Sequence, residues 1–172
     1  MKTGTLFVLL LAARIATAQP QPATAMQLAS PDFRDGEMIP AEFTCDGKNW
    51  NPALNWSGIP AAAKSLALIV DDPDAPAGTW THWLVWNLPP KLTGIVKGTM
   101  LEYAVQGRND FGDARYGGPC PPSGTHRYFF KLYALDARLD LPQGASRKAM
   151  EAAMKGHVLA TAVLMGRYAK QR

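Results

Sequence analysis

The sequence predicts a mainly β fold, a β-sandwich with one or two short helices. Short apolar runs rich in β-branched and aromatic residues recur along the chain, and turn signals from 15 glycines and 14 prolines separate them. The run SLALIVD at 65–71 is apolar on both faces, which indicates a strand covered on both sides. Short strands with regular turn punctuation are typical of an antiparallel or mixed sandwich.

The strands are predicted from these runs in chain order. A short run at 26–30 precedes a turn at 34–36, and a second short run follows at 53–56. Stronger runs then occupy 65–71, 82–88, 125–135 and 158–168, and Val105 marks a short strand between them. No repeat or linker interrupts them, so we expect residues 26–172 to form a single domain.

One helix is predicted at 146–155. Ser146 can serve as the N-cap, and Gly156 is a natural residue just beyond the C-terminus. Met150 and Met154 stand four residues apart with Ala153 beside them, which gives a narrow apolar stripe. We interpret this stripe as a packing surface.

Residues 1–18 have the pattern of a signal peptide. Lys2 precedes an apolar run, LFVLLLAA, and Ala16-Thr17-Ala18 provides a small-x-small cleavage signal. A membrane anchor is the alternative, but the run is shorter than the ~20 residues that a spanning helix needs. We therefore expect cleavage after Ala18, followed by a flexible leader at 19–25. The mature protein should be exported, in bacteria to the periplasm, and should have no stable membrane anchor.

The charge of the chain argues against a nucleic-acid partner. The formal net charge is +4, and loss of Lys2 and Arg14 with the signal peptide would lower it to +2. No run of basic residues exceeds two, so the sequence lacks a basic patch. It also carries no signal for an oligomeric state.

The chain has two cysteines, Cys45 and Cys120. An even number of cysteines in an exported chain favours a disulfide. A free, reactive Cys120 is the alternative.

Polar residues follow one strand and begin two others. Asp71, Asp72 and Asp74 end the run at 65–71, in a turn that Pro73 and Pro76 stiffen. Taken alone, such a turn is ordinary solvated structure.

Histidines open the strands at 82–88 and 125–135. In an extended strand His82 shares a face with Trp86, and His126 shares a face with Tyr128 and Phe130. A single histidine of this kind is more often a packed core residue. Two of them together with the acidic turn point to a pocket, and we expect Trp86 and Phe130 to lie in the core.

Longer motifs resemble a known family. These motifs are FTCDG at 43–47, DPDAP at 72–76, His82-Trp83, NDFG at 109–112, GPCPPSGTHRY at 118–128 and LYALD at 132–136. They resemble the phosphatidylethanolamine-binding protein family, in particular its bacterial Raf-kinase-inhibitor-like branch. The resemblance covers nearly all of the chain beyond residue 25.

The resemblance implies a β-sandwich with a small surface pocket for phosphate-type anions or phospholipid headgroups. Carried over by motif, the ligand-binding residues are Asp72, Asp74, Trp80, His82, Pro122, His126 and Tyr128. Asp72 and Asp74 would orient the imidazoles, hold them cationic or bind the ammonium of a zwitterionic headgroup. Cys45 and Cys120 match positions where exported bacterial members carry cysteine. The resemblance implies no cofactor, metal or catalytic residue. We expect regulation of a protein partner as an additional role of the protein.

Two other classes of function remain open from the sequence. One is an interaction module, such as an inhibitor of an exported protease. The other is a metal-dependent or acid–base hydrolase, since two histidines and two aspartates can ligate zinc, although no metalloprotease-type spacing supports it. A Cys120–His126 nucleophilic pair is conceivable only without a disulfide.

Overall fold

The structure is a computed structural model that describes residues 25–170 of the 172-residue chain. The predicted signal peptide and nearly all of the leader lie outside the described residues. Within residues 25–170, no helix is long and apolar enough to cross a membrane. In chain order the regular elements are β1 Gln27–Ala29, β2 Leu54–Ser57, β3 Ser65–Asp72, β4 Trp80–Leu88, β5 Gly94–Ile95, β6 Val105–Gln106, β7 Thr125–Leu135, α1 Arg147–Met154 and β8 Val158–Ala169.

Two antiparallel sheets form the sandwich. The larger sheet has the strand order β6-β4-β3-β7-β8, and the smaller has the order β1-β2-β5. Every residue of the central strand β3 is buried, as expected for a strand covered on both faces. The predicted mainly β sandwich is therefore confirmed, and the two-residue strand β5 is the element that the sequence did not predict.

The main core lies between the two sheets. Leu28 and Trp56 from the smaller sheet pack in one cluster with Val70, Trp83 and Phe130 from the larger one. Tyr128 is also fully buried there. The burial of Phe130 agrees with the prediction that it is a core residue.

A second core lies under the helix, on the opposite face of the large sheet. The side chain of Ser146 accepts a hydrogen bond from the backbone N–H of Ala149, so it caps α1 as predicted. Met150 and Met154 are buried against Trp86, which confirms that the methionine stripe is a packing surface. A short 3-10 turn, Ala41–Phe43, is the second short helix.

A β-bulge changes the strand phase at His82. Val70 of β3 pairs with Trp83, whereas the next residue, Asp71, pairs with Thr81, which leaves His82 as the extra residue. His82 therefore turns to the main-core side, where its ring meets Tyr128. Trp86 lies on the helix side. The prediction that His82 and Trp86 share a face was wrong, because the alternation of residues in the sequence does not reveal a β-bulge.

A disulfide joins Cys45 to Cys120, with 5.4 Å between their Cα atoms. It links the loop after the 3-10 turn to the proline-rich loop before β7. Two hydrogen bonds reinforce this contact, from the backbone N–H of Cys45 to the Pro119 carbonyl and from that of Gly118 to Asn49 Oδ1. The predicted pairing is confirmed, and neither described cysteine is free.

We expect the purified, unreduced protein to react with no thiol-alkylating reagent, even when it is unfolded in denaturant. Mass spectrometry before and after alkylation measures this directly. After reduction, the same protein should take up two alkyl groups, at Cys45 and Cys120. Alkylation of unreduced protein at either position would contradict the disulfide and restore the reactive-cysteine hypothesis.

Candidate functional site

The strand-entry histidines meet at one surface cavity of about 310 Å³. This volume is near the lower limit of ordinary small-ligand pockets, which begin at roughly 300 Å³. The cavity is bordered by Asp72, Ala75, Pro76, Ala77, Trp80, His82, Phe111, Cys120, Pro121, Pro122 and His126. It therefore lies where the turn after β3, the start of β4 and the proline-rich loop before β7 come together.

His126 is oriented by Asp72. Its Nδ1 lies 2.7 Å from Oδ2 of Asp72, and both residues are buried. The other carboxylate oxygen of Asp72 accepts the backbone N–H of Asp74 at 2.8 Å, which fixes the carboxylate in the turn. Since the carboxylate accepts the hydrogen bond, Nδ1 of His126 carries the proton that is donated.

His82 is oriented by a backbone carbonyl. Its Nδ1 lies 2.7 Å from the Gly117 carbonyl oxygen, so Nδ1 donates there. Burial lowers the pKa of His82 below 6.5, although the Gly117 carbonyl and the Asp72 charge act in the opposite direction. In the free protein this ring is therefore neutral at pH 7, and sequence reasoning could not decide between the two effects.

Both imidazoles thus use Nδ1 for contacts within the protein. The Nε2 atoms of His82 and His126 have no hydrogen-bond partner among the residues that the structure describes. A neutral ring with its proton on Nδ1 presents Nε2 as an acceptor, and protonation turns Nε2 into a charged donor.

Asp74 has a different partner from the one predicted. Its carboxylate binds the guanidinium of Arg127, with distances of 2.6 and 2.9 Å, and it also accepts the Arg127 backbone N–H. The Arg127 guanidinium lowers the pKa of Asp74 to about 2. Asp74 does not border the cavity. It fastens the acidic turn to β7 and orients neither imidazole, because Arg127, directly after His126, reaches it first.

Two aromatic residues of the predicted site support the histidines. The Tyr128 ring lies edge-on to His82 at 5.2 Å between centroids and sits behind it, so it does not border the cavity. Burial and the nearby Asp72 charge raise the pKa of the Tyr128 phenol. Trp80 borders the cavity, and its Nε1 is buried with no hydrogen-bond partner within residues 25–170.

Apolar and aromatic residues form the walls of the cavity, and the sequence predicted Trp80 and Pro122 among them. Pro76, Phe111 and Pro121 also border it. Each lies in a motif that was recognised, DPDAP, NDFG or GPCPPSG, so the motifs themselves were the available signal. The cavity therefore has a polar floor, formed by Asp72, His82 and His126, and apolar walls.

The described residues provide no cluster of three or more His, Cys, Asp or Glu side chains that could hold a metal ion. Asp74, one of the four residues of the zinc hypothesis, binds Arg127 and does not border the cavity.

Known proteins have a similar sequence and a similar fold. A UPF0098 protein of Methanothermobacter thermautotrophicus is 53% identical over 148 residues, which cover 83% of this chain and 98% of that protein. The crystal structure of a putative phosphatidylethanolamine-binding protein homologue from Chlamydia trachomatis has a TM-score of 0.83 at 45% identity, covering 86% of this chain and 99% of the homologue.

A second solved structure, E. coli YbcL, is described as a member of the mammalian phosphatidylethanolamine-binding protein family. It has a TM-score of 0.80 at 36% identity and covers 86% of this chain and 100% of its own. The sequence model of the family Phosphatidylethanolamine-binding protein matches residues 29–169. On this coverage, the chain belongs to the phosphatidylethanolamine-binding protein family.

Proposed function

We propose that this protein is an exported, non-enzymatic binding protein whose cavity holds a phosphate-type anion, either free or as the phosphate of a small ester such as a phospholipid headgroup. The observation that supports this most is the pair of imidazoles that border one cavity, each fixed through Nδ1, with Nε2 taking part in neither of these contacts. Two such groups provide two charge-assisted donors to one anion once they are protonated.

The charge balance of the cavity makes this binding dependent on pH. Asp72 brings a negative charge to the floor, which would repel an anion if both imidazoles stayed neutral. The depressed pKa of His82 means that this ring gains its proton only at acidic pH or when an anion binds. Affinity should therefore increase as the pH falls.

A binding role fits the chemistry better than hydrolysis. Cys120 borders the cavity, but its sulfur is bonded to Cys45 and cannot act as a nucleophile. His126 has a carboxylate partner but no hydroxyl or thiol to activate among the described residues that border the cavity. The disulfide also suits the export that residues 1–18 predict, since disulfides persist in oxidising compartments such as the periplasm.

Isothermal titration calorimetry with inorganic phosphate and sulfate tests the proposal. We expect wild type to bind both anions more tightly at pH ~5.5 than at pH ~7.5, on either side of the ordinary imidazole pKa of about 6.5. Sulfate stays a dianion over this range, so its pH dependence reports on the protein alone. His126→Ala should abolish measurable binding, because one of the two donors and its orienting contact are lost.

His157→Ala is the matched control. His157 is an exposed histidine that pairs with Asp136 away from the cavity, so its removal should leave anion binding unchanged. His157→Ala should unfold at nearly the wild-type urea concentration, whereas His126→Ala should stay folded in buffer but unfold at a lower urea concentration, because the buried Asp72 carboxylate loses its partner. Equal anion binding by wild type and His126→Ala would remove His126 from the site, and absence of binding by wild type at both pH values would reject the proposed function.

A further inference from the structure

We propose that Phe111 is a specificity-determining residue, which makes the cavity prefer a phosphomonoester with a compact apolar ester group over inorganic phosphate. This inference rests on the proposed function. It concerns a wall residue of the cavity and not one of the polar residues of its floor.

The loop that bears Phe111 is fixed by Asn109. The side-chain oxygen of Asn109 accepts the backbone N–H groups of Phe111 and Asp113, at 3.0 and 2.9 Å. Its side-chain nitrogen donates to the Arg115 carbonyl at 2.8 Å, and Asn109 itself is buried. The backbone of Phe111 is therefore held in place before any ligand binds, which reduces the ordering cost of binding.

The ring of Phe111 is seated against three residues. Its centroid lies 5.5 Å from that of Trp80 and 5.4 Å from that of His82, both in edge-to-face geometry. Its third neighbour is Gly117, where a Cβ would lie only 2.6 Å from the ring. A glycine at this position thus allows the ring to lie flat against the loop whose carbonyl orients His82.

The remaining surface of Phe111 faces the mouth of the cavity and solvent. The residue is 47% exposed, although it borders the cavity. It also borders a neighbouring cavity of about 230 Å³. An aromatic ring that is rigidly held yet half exposed at a pocket mouth offers apolar area for a ligand to cover.

The division of the cavity into a polar floor and apolar walls sets the ligand's orientation. The anionic group belongs at His82 and His126, and whatever is esterified to it must run along Phe111 and the prolines. An inorganic anion leaves these walls uncovered. A compact apolar group covers them and gains both burial and an aromatic contact, which we expect to be worth about tenfold in affinity.

Titration calorimetry at one pH compares three probes, phenyl phosphate, phosphoethanolamine and inorganic phosphate. Wild type should bind phenyl phosphate about tenfold more tightly than inorganic phosphate and more tightly than phosphoethanolamine, whose ester group is polar. Phe111→Ala should remove most of this preference, because it should weaken the binding of phenyl phosphate much more than that of inorganic phosphate. Phe111→Leu, which keeps an apolar wall, should retain part of the preference.

Tyr103→Ala is the matched control, because Tyr103 is an aromatic residue with a similar exposure, 45%, and does not border the cavity. It should leave the preference intact. If wild type binds phenyl and inorganic phosphate equally, or prefers phosphoethanolamine, the inference fails while the proposed function stands. Equal weakening of all probes by Phe111→Ala would show that Phe111 only positions His82, which also overturns it. Binding of no probe by wild type would reject the proposed function itself.

Discussion

Trp86→Ala should lower the free energy of unfolding by about 3–5 kcal/mol, the range for removing a large buried aromatic side chain. Trp86 lies in β4, is fully buried, and packs in the second core with Ile69 and the two helix methionines, Met150 and Met154. The core under α1 is small, and the helix is only two turns long, so little material can collapse into the space that the indole leaves. Urea unfolding of the oxidised protein measures the effect.

Two further variants make this test specific. Trp86→Phe should cost much less, because it keeps an aromatic ring and removes an Nε1 that is buried without a partner among the described residues. Trp50→Ala makes the same change at a residue that is 43% exposed, and it should cost less than about 1 kcal/mol. A loss below about 1 kcal/mol for Trp86→Ala would show that α1 does not pack on this face as described.

Strand positions were predictable because burial imposes long apolar runs. The run at 65–71 became β3, which is buried throughout, and the run at 125–135 became β7 with the same bounds. Strand β5, Gly94–Ile95, was not predictable, since two residues show no alternation and the strand exists only through its pairing with β2. Propensity cannot reveal a strand that tertiary contact alone creates.

The phase of β4 was not predictable at its beginning. Alternation placed His82 with Trp86, but a β-bulge moves every residue before it to the opposite face. The bulge has a consequence for the site, because without it the His82 ring would point to α1 and away from His126. The partner of Asp74 was not predictable either. Arg127 lies 53 residues further along the chain, and residue alternation gives no information on which loop contacts which strand.

The adjacent carboxylates Asp71 and Asp72 should have separable roles, because successive residues of β3 point to opposite faces. Asp72 faces the cavity and binds His126, whereas Asp71 faces the helix side. The Asp71 carboxylate is fully buried and pairs with Lys131 Nζ at 2.7 Å and Arg147 Nη2 at 2.9 Å. It thereby ties β3 and β7 to the first turn of α1.

Asp71→Asn should lower the free energy of unfolding by about 3 kcal/mol, because removal of one partner from a buried ion pair leaves uncompensated charge. Two cations lose their shared partner, but their side chains are 27% exposed and retain some hydration, so we place the cost at the lower end of the known range. Urea unfolding measures the stability. Phosphate binding by the folded variant should weaken much less than in Asp72→Asn, since Asp71 does not border the cavity and its charge has a smaller effect on the His82 pKa than that of Asp72.

Asp72→Asn is the matched variant and should show the opposite pattern. The amide keeps the shape of Asp72 but removes the charge that partly offsets the effect of burial on the His82 pKa, so phosphate binding should weaken more at pH ~7.5 than at ~5.5. The free energy of unfolding should fall less than in Asp71→Asn, because Asp72 pairs with one imidazole whereas Asp71 pairs with two cationic side chains. If Asp71→Asn instead abolished phosphate binding while Asp72→Asn preserved it at both pH values, the assignment of the two faces of β3 would be reversed, and the anion site would have to be sought on the helix side of the sheet.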